Sequence, residues 1–293
     1  MQAQREMPLN GVSTETTTAN SAIIVEGERT IAELDPDHPG FRDPEYRARR
    51  NQIAEIAVGY KSGSPIPDAP YIEEEQEVWR IINHELEDAH RRFACREYLE
   101  CLRVLDLPKD HIPQLREVSA RVEKISGFRL EPVGGLVLPR IFLESLGNGI
   151  FLSTQYIRHH STPLYTPEPD VVHETIGHAT MLANAQVAEI TRLVGDAVRR
   201  ADEAGLERLG RIYWFTIEFG VLRENGDPKA YGAGLLSSAG EMASLVNTEM
   251  RPFDLETMSR QDYDVTMFQP FLYCADSFDH MYQTMRDYML NFN

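Results

Sequence analysis

The stretch His173-Glu174-Thr175-Ile176-Gly177-His178 sets two imidazoles five residues apart. A zinc-protease helix spaces its histidines four apart, which puts both on one face. On a regular α-helix, at roughly 100° per residue, a spacing of five turns the two side chains about 140° away from each other. The pair therefore reads in one of two ways: as unrelated helix histidines, or as two ligands of one ion on a helix that ends or distorts between them. Gly177 is placed to permit such a distortion. A third donor lies downstream, in Arg211-Ile212-Tyr213-Trp214-Phe215-Thr216-Ile217-Glu218-Phe219-Gly220, where Glu218 has no polar face around it. A carboxylate in so apolar a run is costly to bury unless a cation or hydrogen bonds compensate it. Two neutral imidazoles and one carboxylate form the set that leaves open positions on non-haem Fe(II), which oxygenases use for dioxygen. Zinc accepts a similar set, so these three residues alone leave oxygenase and zinc hydrolase both open.

Beyond this run the dominant period is helical. Ile53, Ile56, Ala57 and Tyr60 share a face, and Lys61-Ser62-Gly63-Ser64-Pro65 closes that helix. Val78, Ile82, Leu86, Ala89 and Phe93 form a second stripe behind Glu73-Glu74-Glu75. Acids in a first turn complement the helix dipole, a commoner role for such a triplet than a metal site. Leu115, Val118, Val122 and Ile125 make a third stripe ended by Gly127, and Phe128-Arg129-Leu130-Glu131 alternates like a strand before Gly134-Gly135. Further helices are expected across 170–185, 206–222, 238–247 and 278–290, with irregular segments at 161–170 and 227–235. The expectation is a mostly α fold with a small β component, one domain over residues 34–293. A mobile, Thr-rich arm at 1–33 precedes it, in which Ala22-Ile23-Ile24-Val25 reads as an edge strand or as nothing. Asp35-Pro36-Asp37-His38-Pro39-Gly40 is turn punctuation marking where the domain starts.

The 293 residues carry 46 acidic against 29 basic side chains, a formal charge of −17. The arm holds two basic and five acidic residues, so the acidity belongs to the domain. A surface this negative repels phosphate backbones and anionic lipid, which argues against nucleic-acid or membrane-surface binding as the main role. Hydrophobic residues at 42% are ample for a core, so a disordered regulator is excluded. No apolar run approaches the length of a bilayer span. Cys95, Cys101 and Cys274 are too few and too scattered for a disulfide framework, and residues 1–20 are polar, unlike a secretory signal. A cytoplasmic, reducing location is expected.

Longer motifs narrow the function. Ser153-Thr154-Gln155-Tyr156-Ile157-Arg158-His159, then Pro163-Leu164-Tyr165-Thr166-Pro167-Glu168-Pro169-Asp170, then His173 to His178, resemble the catalytic core of the pterin-dependent aromatic amino acid hydroxylases. The run 212–220, Ala230-Tyr231-Gly232-Ala233-Gly234-Leu235-Leu236-Ser237-Ser238 and Phe268-Gln269-Pro270 are similar to the same family, in the same order. The likeness extends from about residue 41 to the C-terminus. It implies a single catalytic domain, a helical basket around an iron site, with His173, His178 and Glu218 as the catalytic Fe(II) ligands. It implies an amino-acid pocket made by Arg158, Tyr165, Thr166, Pro169, Trp214, Phe219, Gly234 and Ser237. Arg158 would grip the substrate carboxylate with its planar fork, and Asp170 would orient it. Val133, Gly135, Leu136, Phe142, Glu174 and Tyr213 fall where the family packs tetrahydrobiopterin or a related tetrahydropterin, and dioxygen is the co-substrate. The pterin supplies two electrons, while side chains hold the ion, exclude water and place the ring. Ser237 beside Ser238 is then a pocket wall rather than a hydrolase nucleophile.

The resemblance also bears on substrate. Trp214 is similar to phenylalanine and tyrosine members, and Val265 in Tyr263-Asp264-Val265-Thr266 matches the apolar residue of phenylalanine members, where tyrosine members carry a charge. The expected reaction is hydroxylation of L-phenylalanine at the para carbon to L-tyrosine, with tyrosine or tryptophan as less favoured substrates. Three departures keep meta hydroxylation open: Ala179-Thr180 stand where a branched apolar residue and proline are usual, Val187 and Ile190 replace phenylalanines, and Ala239 replaces a bulky aromatic. Fewer rings near the ion let the substrate tilt, and a shift of about 1 Å changes which carbon is presented. A ligand-binding descendant without chemistry has no need of His173, His178 and Glu218 together. The family's regulatory N-terminal domain and long C-terminal helix are not seen in the sequence, so a compact monomer is expected, partnered only by its small-molecule substrate.

Overall fold

Helix starts and stops follow their local chemistry. In the computed structural model, which describes residues 34, 36–135, 137–164, 166–265 and 267–293, helix α1 (Pro44–Val58) opens on Asp43. The Oδ1 atom of Asp43 accepts from the backbone N–H groups of Glu45 and Tyr46 at 2.9 and 3.1 Å, with proline at the first helical position. In α2 (Glu73–Phe93) the Glu75 carboxylate reaches back to the Ile72 N–H at 2.8 Å, and Trp79, Ile82 and Leu86 turn into the core. Helices α3 (Arg96–Leu105) and α4 (Leu115–Ser126) follow, the latter stopped by Gly127 at φ 75°. Strand β1 (Arg129–Pro132), helix α5 (Pro139–Gly147) and strand β2 (Ile150–Ser153) form a parallel pair with a helical crossover. The expected arm at 1–33 with its 22–25 patch, and Leu136, Tyr165 and Thr266, lie outside the described residues.

A first π-helical segment, His173–Ala179, runs into α6 (Thr180–Leu182), and α7 (Ala185–Arg200) packs back on it. Helix α8 (Glu203–Tyr213) passes without a break into a second π-helical segment, Trp214–Glu218. Then come β3 (Val221–Glu224), β4 (Asp227–Ala230), α9 (Ala233–Leu236), α10 (Ala239–Ser244), β5 (Glu249–Pro252), α11 (Leu255–Met258), β6 (Phe271–Ala275) and α12 (Phe278–Asn291). The last four strands form one sheet in the order β4-β3-β6-β5. Among the described residues no helix is long and apolar enough to cross a membrane.

The mostly helical expectation holds, with two corrections. The helix expected over 206–222 stops at Glu218: Phe219 leaves helical conformation (φ −123°, ψ 29°), and Val221 and Leu222 pair with β4 and β6 instead. The segment 227–235, expected to be irregular, holds β4 and most of α9; Asn225 and Gly226, both at positive φ, make the two-residue turn that β4 needs. Helices α3, α5, α7 and α11 have no counterpart among the expected helices.

The two π-helical segments position the site. Their i→i+5 hydrogen bonding places residues five apart on one face, so His173 and His178 meet across a widened turn. Gly177 does not break the helix; it lets the segment touch α9, since a Cβ there would stand 2.8 Å from Ala233 O and 2.9 Å from Ala233 Cβ. Gly177→Ala should therefore force these elements apart, at a cost of about 1–3 kcal/mol. Chemical denaturation should show the lower midpoint, and unchanged stability would remove this contact from the account.

Candidate active site

His173 and His178, on the first π-helical segment, and Glu218, last residue of the second, converge. His173 Nε2 lies 3.0 Å from His178 Nε2, which lies 3.0 Å from Glu218 Oε1, and His173 Nε2 is 3.4 Å from Glu218 Oε2. Donors on one ion with bonds of about 2.0–2.2 Å stand at roughly this spacing. Among the described residues no fourth His, Cys, Asp or Glu joins the set.

The ring of His173 has its tautomer fixed from behind. Ser237 Oγ donates its proton to Ala233 O at 2.8 Å, so at 3.1 Å from His173 Nδ1 it accepts. The proton of His173 then sits on Nδ1 and the Nε2 lone pair faces the cluster, as in a metal-ligating histidine oriented by a hydrogen bond from its other ring nitrogen. Burial lowers His173 to about 4, so it is neutral near pH 7. Burial alone would raise Glu218, but the charge and hydrogen bond of His178 outweigh it and keep the carboxylate ionised. A buried carboxylate facing two imidazoles draws positive charge, and a divalent cation supplies it. Two nitrogens and one oxygen on one side of an ion fit iron with open positions.

Beside this cluster, Arg158 and Asp170 form a buried fork. Arg158 Nε and Nη2 donate to Asp170 Oδ2 and Oδ1, each at 2.8 Å. Burial pushes Asp170 up, yet the Arg158 charge and the bonds from Arg158 and the His173 N–H keep it below the usual carboxylate range. Trp214 stacks on Tyr263 (ring centroids 4.4 Å, planes 11° apart), touches Phe219 at 4.5 Å, and donates from Nε1 to Gln269 Oε1 at 3.1 Å. The Phe268-Gln269-Pro270 motif thus serves to hold the tryptophan. Gly234 lies against Phe219, where a Cβ would come within 2.8 Å of its ring. Pro169 accepts from Thr154 Oγ1 at 3.1 Å, and the Thr166 hydroxyl is spent inside its own turn on Glu168 O at 2.8 Å. Ser237, expected in the amino-acid pocket, stands 3.1 Å from His173 Nδ1.

On the other side, Phe142 stands edge-on to both Phe151 and Tyr213, and the Tyr213 ring lies nearly parallel to that of His178 at 6.4 Å. The buried Tyr213 hydroxyl is outside hydrogen-bond range of any described partner, though close enough to Glu218 to help hold that carboxylate down. A buried hydroxyl beside the cluster, with Glu218 as its nearest acid, suits a polar ligand. Val133 and Gly135 are buried just past β1. Glu174, also buried, accepts from Thr154 N and Oγ1 at 3.2 Å, and burial pushes it up to about 8 against the pull of His178. Behind His178, Phe151, Met181, Val187, Ile190 and Tyr213 help line an internal cavity of about 10 Å³.

Two supporting contacts had no signal in the sequence. Tyr98 donates to Ile176 O, inside the first π-helical segment, at 3.0 Å and meets His90 Nε2 at 3.2 Å. Arg50 reaches from α1 to Glu168 with two bonds of 2.7 and 2.8 Å, all buried.

Residues 21–293 match the family of biopterin-dependent aromatic amino acid hydroxylases. The chain belongs to this family. It is 44% identical to human phenylalanine-4-hydroxylase over 263 residues, covering 88% of the chain and 58% of that protein. It is equally 44% identical to mouse tyrosine 3-monooxygenase over 262 residues, covering 87% and 53%. The chain thus spans little more than half the length of these curated relatives. A crystal structure of Chromobacterium violaceum phenylalanine hydroxylase, with bound iron(III) and the oxidised cofactor 7,8-dihydrobiopterin, superposes with a TM-score of 0.74 at 26% identity, covering 83% of this chain and 89% of that one.

Glu218→Ala should leave a folded helical domain that no longer retains iron. Circular dichroism and elemental analysis of the same sample check this; full iron content would exclude Glu218 as a ligand.

Proposed function

We propose that this protein hydroxylates the aromatic ring of L-phenylalanine, using Fe(II), a tetrahydropterin such as tetrahydrobiopterin, and dioxygen. The observation that carries the reading is the adjacency of two constructions: an open two-histidine, one-carboxylate set, and a buried arginine held in a fixed plane by Asp170. When bound, iron and pterin together supply dioxygen activation and the two electrons it requires. The protein's own residues do the rest. His173, His178 and Glu218 hold the ion on one side. Val133, Gly135, Leu136, Phe142, Glu174 and Tyr213 wall the pterin, with the Tyr213 hydroxyl as a donor to its polar edge. Arg158 takes the amino-acid carboxylate; Trp214, Phe219, Pro169 and Gly234 flank the aromatic ring, with Tyr165 and Thr166 completing that wall. Apolar walls keep water from the reacting atoms. No nucleophile–base pair is required, and Ser237 is committed to His173 and Ala233 O.

Phenylalanine is preferred to tyrosine because Val265 occupies the place where tyrosine-acting members carry a charge. The para carbon, giving tyrosine, is the first reading. A second reading, meta hydroxylation, draws on Val187 and Ile190, which stand where phenylalanines are usual in the family and line a cavity of about 10 Å³ behind His178, whose ring packs on Phe151 at 4.6 Å.

An assay with L-phenylalanine, Fe(II) and tetrahydrobiopterin should give L-tyrosine, resolved chromatographically from its meta isomer. Activity with zinc and no pterin would instead support a hydrolase. Arg158→Lys keeps the charge but loses the bidentate fork, a loss of about 1.5–3 kcal/mol. It should raise KM for phenylalanine roughly ten- to hundredfold, with kcat less affected. An unchanged KM would take Arg158 out of substrate recognition.

A further inference from the structure

A second group of metal-ligating side chains lies apart from the three converging residues of the active site. Asp43, His159 and His160 bring one donor atom each to within 4.8 Å of one another. The arrangement is built rather than casual. Asp43 divides its carboxylate: Oδ1 caps α1 on Glu45 and Tyr46, while Oδ2 faces His159 Nε2 at 3.2 Å. His159 is buried, with its ring edge-on to Tyr46 (centroids 4.9 Å apart) and its Nδ1 fixed by Ser161, 2.7 Å from Oγ and 3.2 Å from the backbone N–H. Its Nε2 is thereby aimed at Asp43.

The His160 ring lies beside that of His159, centroids 4.2 Å apart and planes 32° apart, and its Nδ1 is 3.0 Å from Glu74 Oε1. This accounts for the middle acid of the Glu73-Glu74-Glu75 triplet. Glu73 pairs with Arg80, Glu75 with Arg49 and the Ile72 N–H, and Glu74 faces the histidine. The site opens to solvent through Asp43 and His160, whose side chains are 32% and 47% exposed, on a chain of net charge −17.

We propose that Asp43 Oδ2, His159 Nε2 and a ring nitrogen of His160 bind a divalent transition metal of the zinc type, with Glu74 and Ser161 orienting the two imidazoles. Two imidazoles with a carboxylate suit zinc far better than magnesium or calcium, which prefer all-oxygen shells. The His159–Asp43 distance already matches two donors on one ion. A small rotation of the half-exposed His160 closes the rest. On loading, the proton of His159 moves from Nε2 to Nδ1, where Ser161 Oγ accepts it and the Ser161 N–H gives up its bond to that nitrogen. The ion would tie the start of α1 to the loop that follows Arg158.

The proposal is tested on the Fe(II)-loaded protein by equilibrium dialysis against Zn²⁺, with both metals counted by elemental analysis. One zinc per chain beyond the iron is expected. His160→Ala, a change at a half-exposed side chain, should weaken that zinc by roughly 10–100-fold and leave the iron in place. A His173→Ala/His178→Ala protein should still bind it, which separates this site from the active-site ligands. Zinc that only displaces iron, no additional zinc, or additional zinc held equally by His160→Ala would each overturn the proposal.

Discussion

Asp170 has no exposed surface and spends both of its oxygens on the site. Oδ2 accepts from the Arg158 backbone N–H at 2.9 Å and from Nε at 2.8 Å; Oδ1 accepts from Arg158 Nη2 at 2.8 Å and from the His173 N–H at 3.1 Å. One carboxylate therefore fixes the start of the helix that carries both histidines and the plane of the arginine beside them. Such a buried pair gives little net stability, since desolvation opposes the attraction. What it supplies is registration. Withdrawing one member would strand the other unpaired in the core, at a cost of about 3–5 kcal/mol, so the distance between ion site and guanidinium is held by an all-or-none interaction.

The loop between these anchors is held at a second point. Glu168, two residues before Asp170, is gripped by Arg50, and the Arg50 guanidinium lies 4.3 Å from the centre of the Tyr156 ring. Tyr156 in turn accepts, at its backbone oxygen, from the Val171 N–H at 2.8 Å. The described residues of 161–170 have no regular structure, yet two buried arginine–carboxylate pairs, on Glu168 and Asp170, hold the end of the segment. Irregular backbone can line a precise pocket when its polar groups are satisfied from outside in this way.

The sequence disclosed what periodicity can carry. The stripes at Ile53–Ala57, Val78–Ala89 and Leu115–Val122 lie on the buried faces of α1, α2 and α4, whereas Tyr60 falls past the end of α1 and Ile125 faces solvent. The stop at Gly127 followed from its left-handed conformation. The three converging donors were legible because a lone Glu218 among aromatic residues needs a cation. Other features leave no such mark. Strand β4 reads Asp-Pro-Lys-Ala, an edge strand with little apolar content, and only the Asn225-Gly226 turn gives it away. Helix α7 carries Thr191 and Gly195 inside its buried face, which blurs its stripe. Tyr98 supports the first π-helical segment from a distant helix, a contact no local pattern encodes. Ser237 was read as a wall of the substrate pocket, and a contact with the far side of His173 is invisible without three dimensions.

The widened turns are what spacing alone could not specify, and the side chains inside them show how they are maintained. Thr175 Oγ1 donates to Val171 O at 2.6 Å, and Thr216 Oγ1 donates to Ile212 O at 2.6 Å, each four residues back. Thr180 Oγ1 donates to Thr175 O at 2.9 Å, five residues back, and the Thr180 N–H points to the same carbonyl. Threonine hydroxyls that bond preceding carbonyls bend or loosen a helix, and here they supply donors to carbonyls that a widened ladder serves poorly. Thr180 stands where proline is usual in the family. Proline has no N–H and no hydroxyl, so it would leave Thr175 O to other donors. The departure that looked like a loss of shape next to His178 is, in this chain, a gain of two hydrogen-bond donors at the end of the first π-helical segment. The His173–His178 spacing is thus held by main-chain geometry that this chain reinforces with its own threonine.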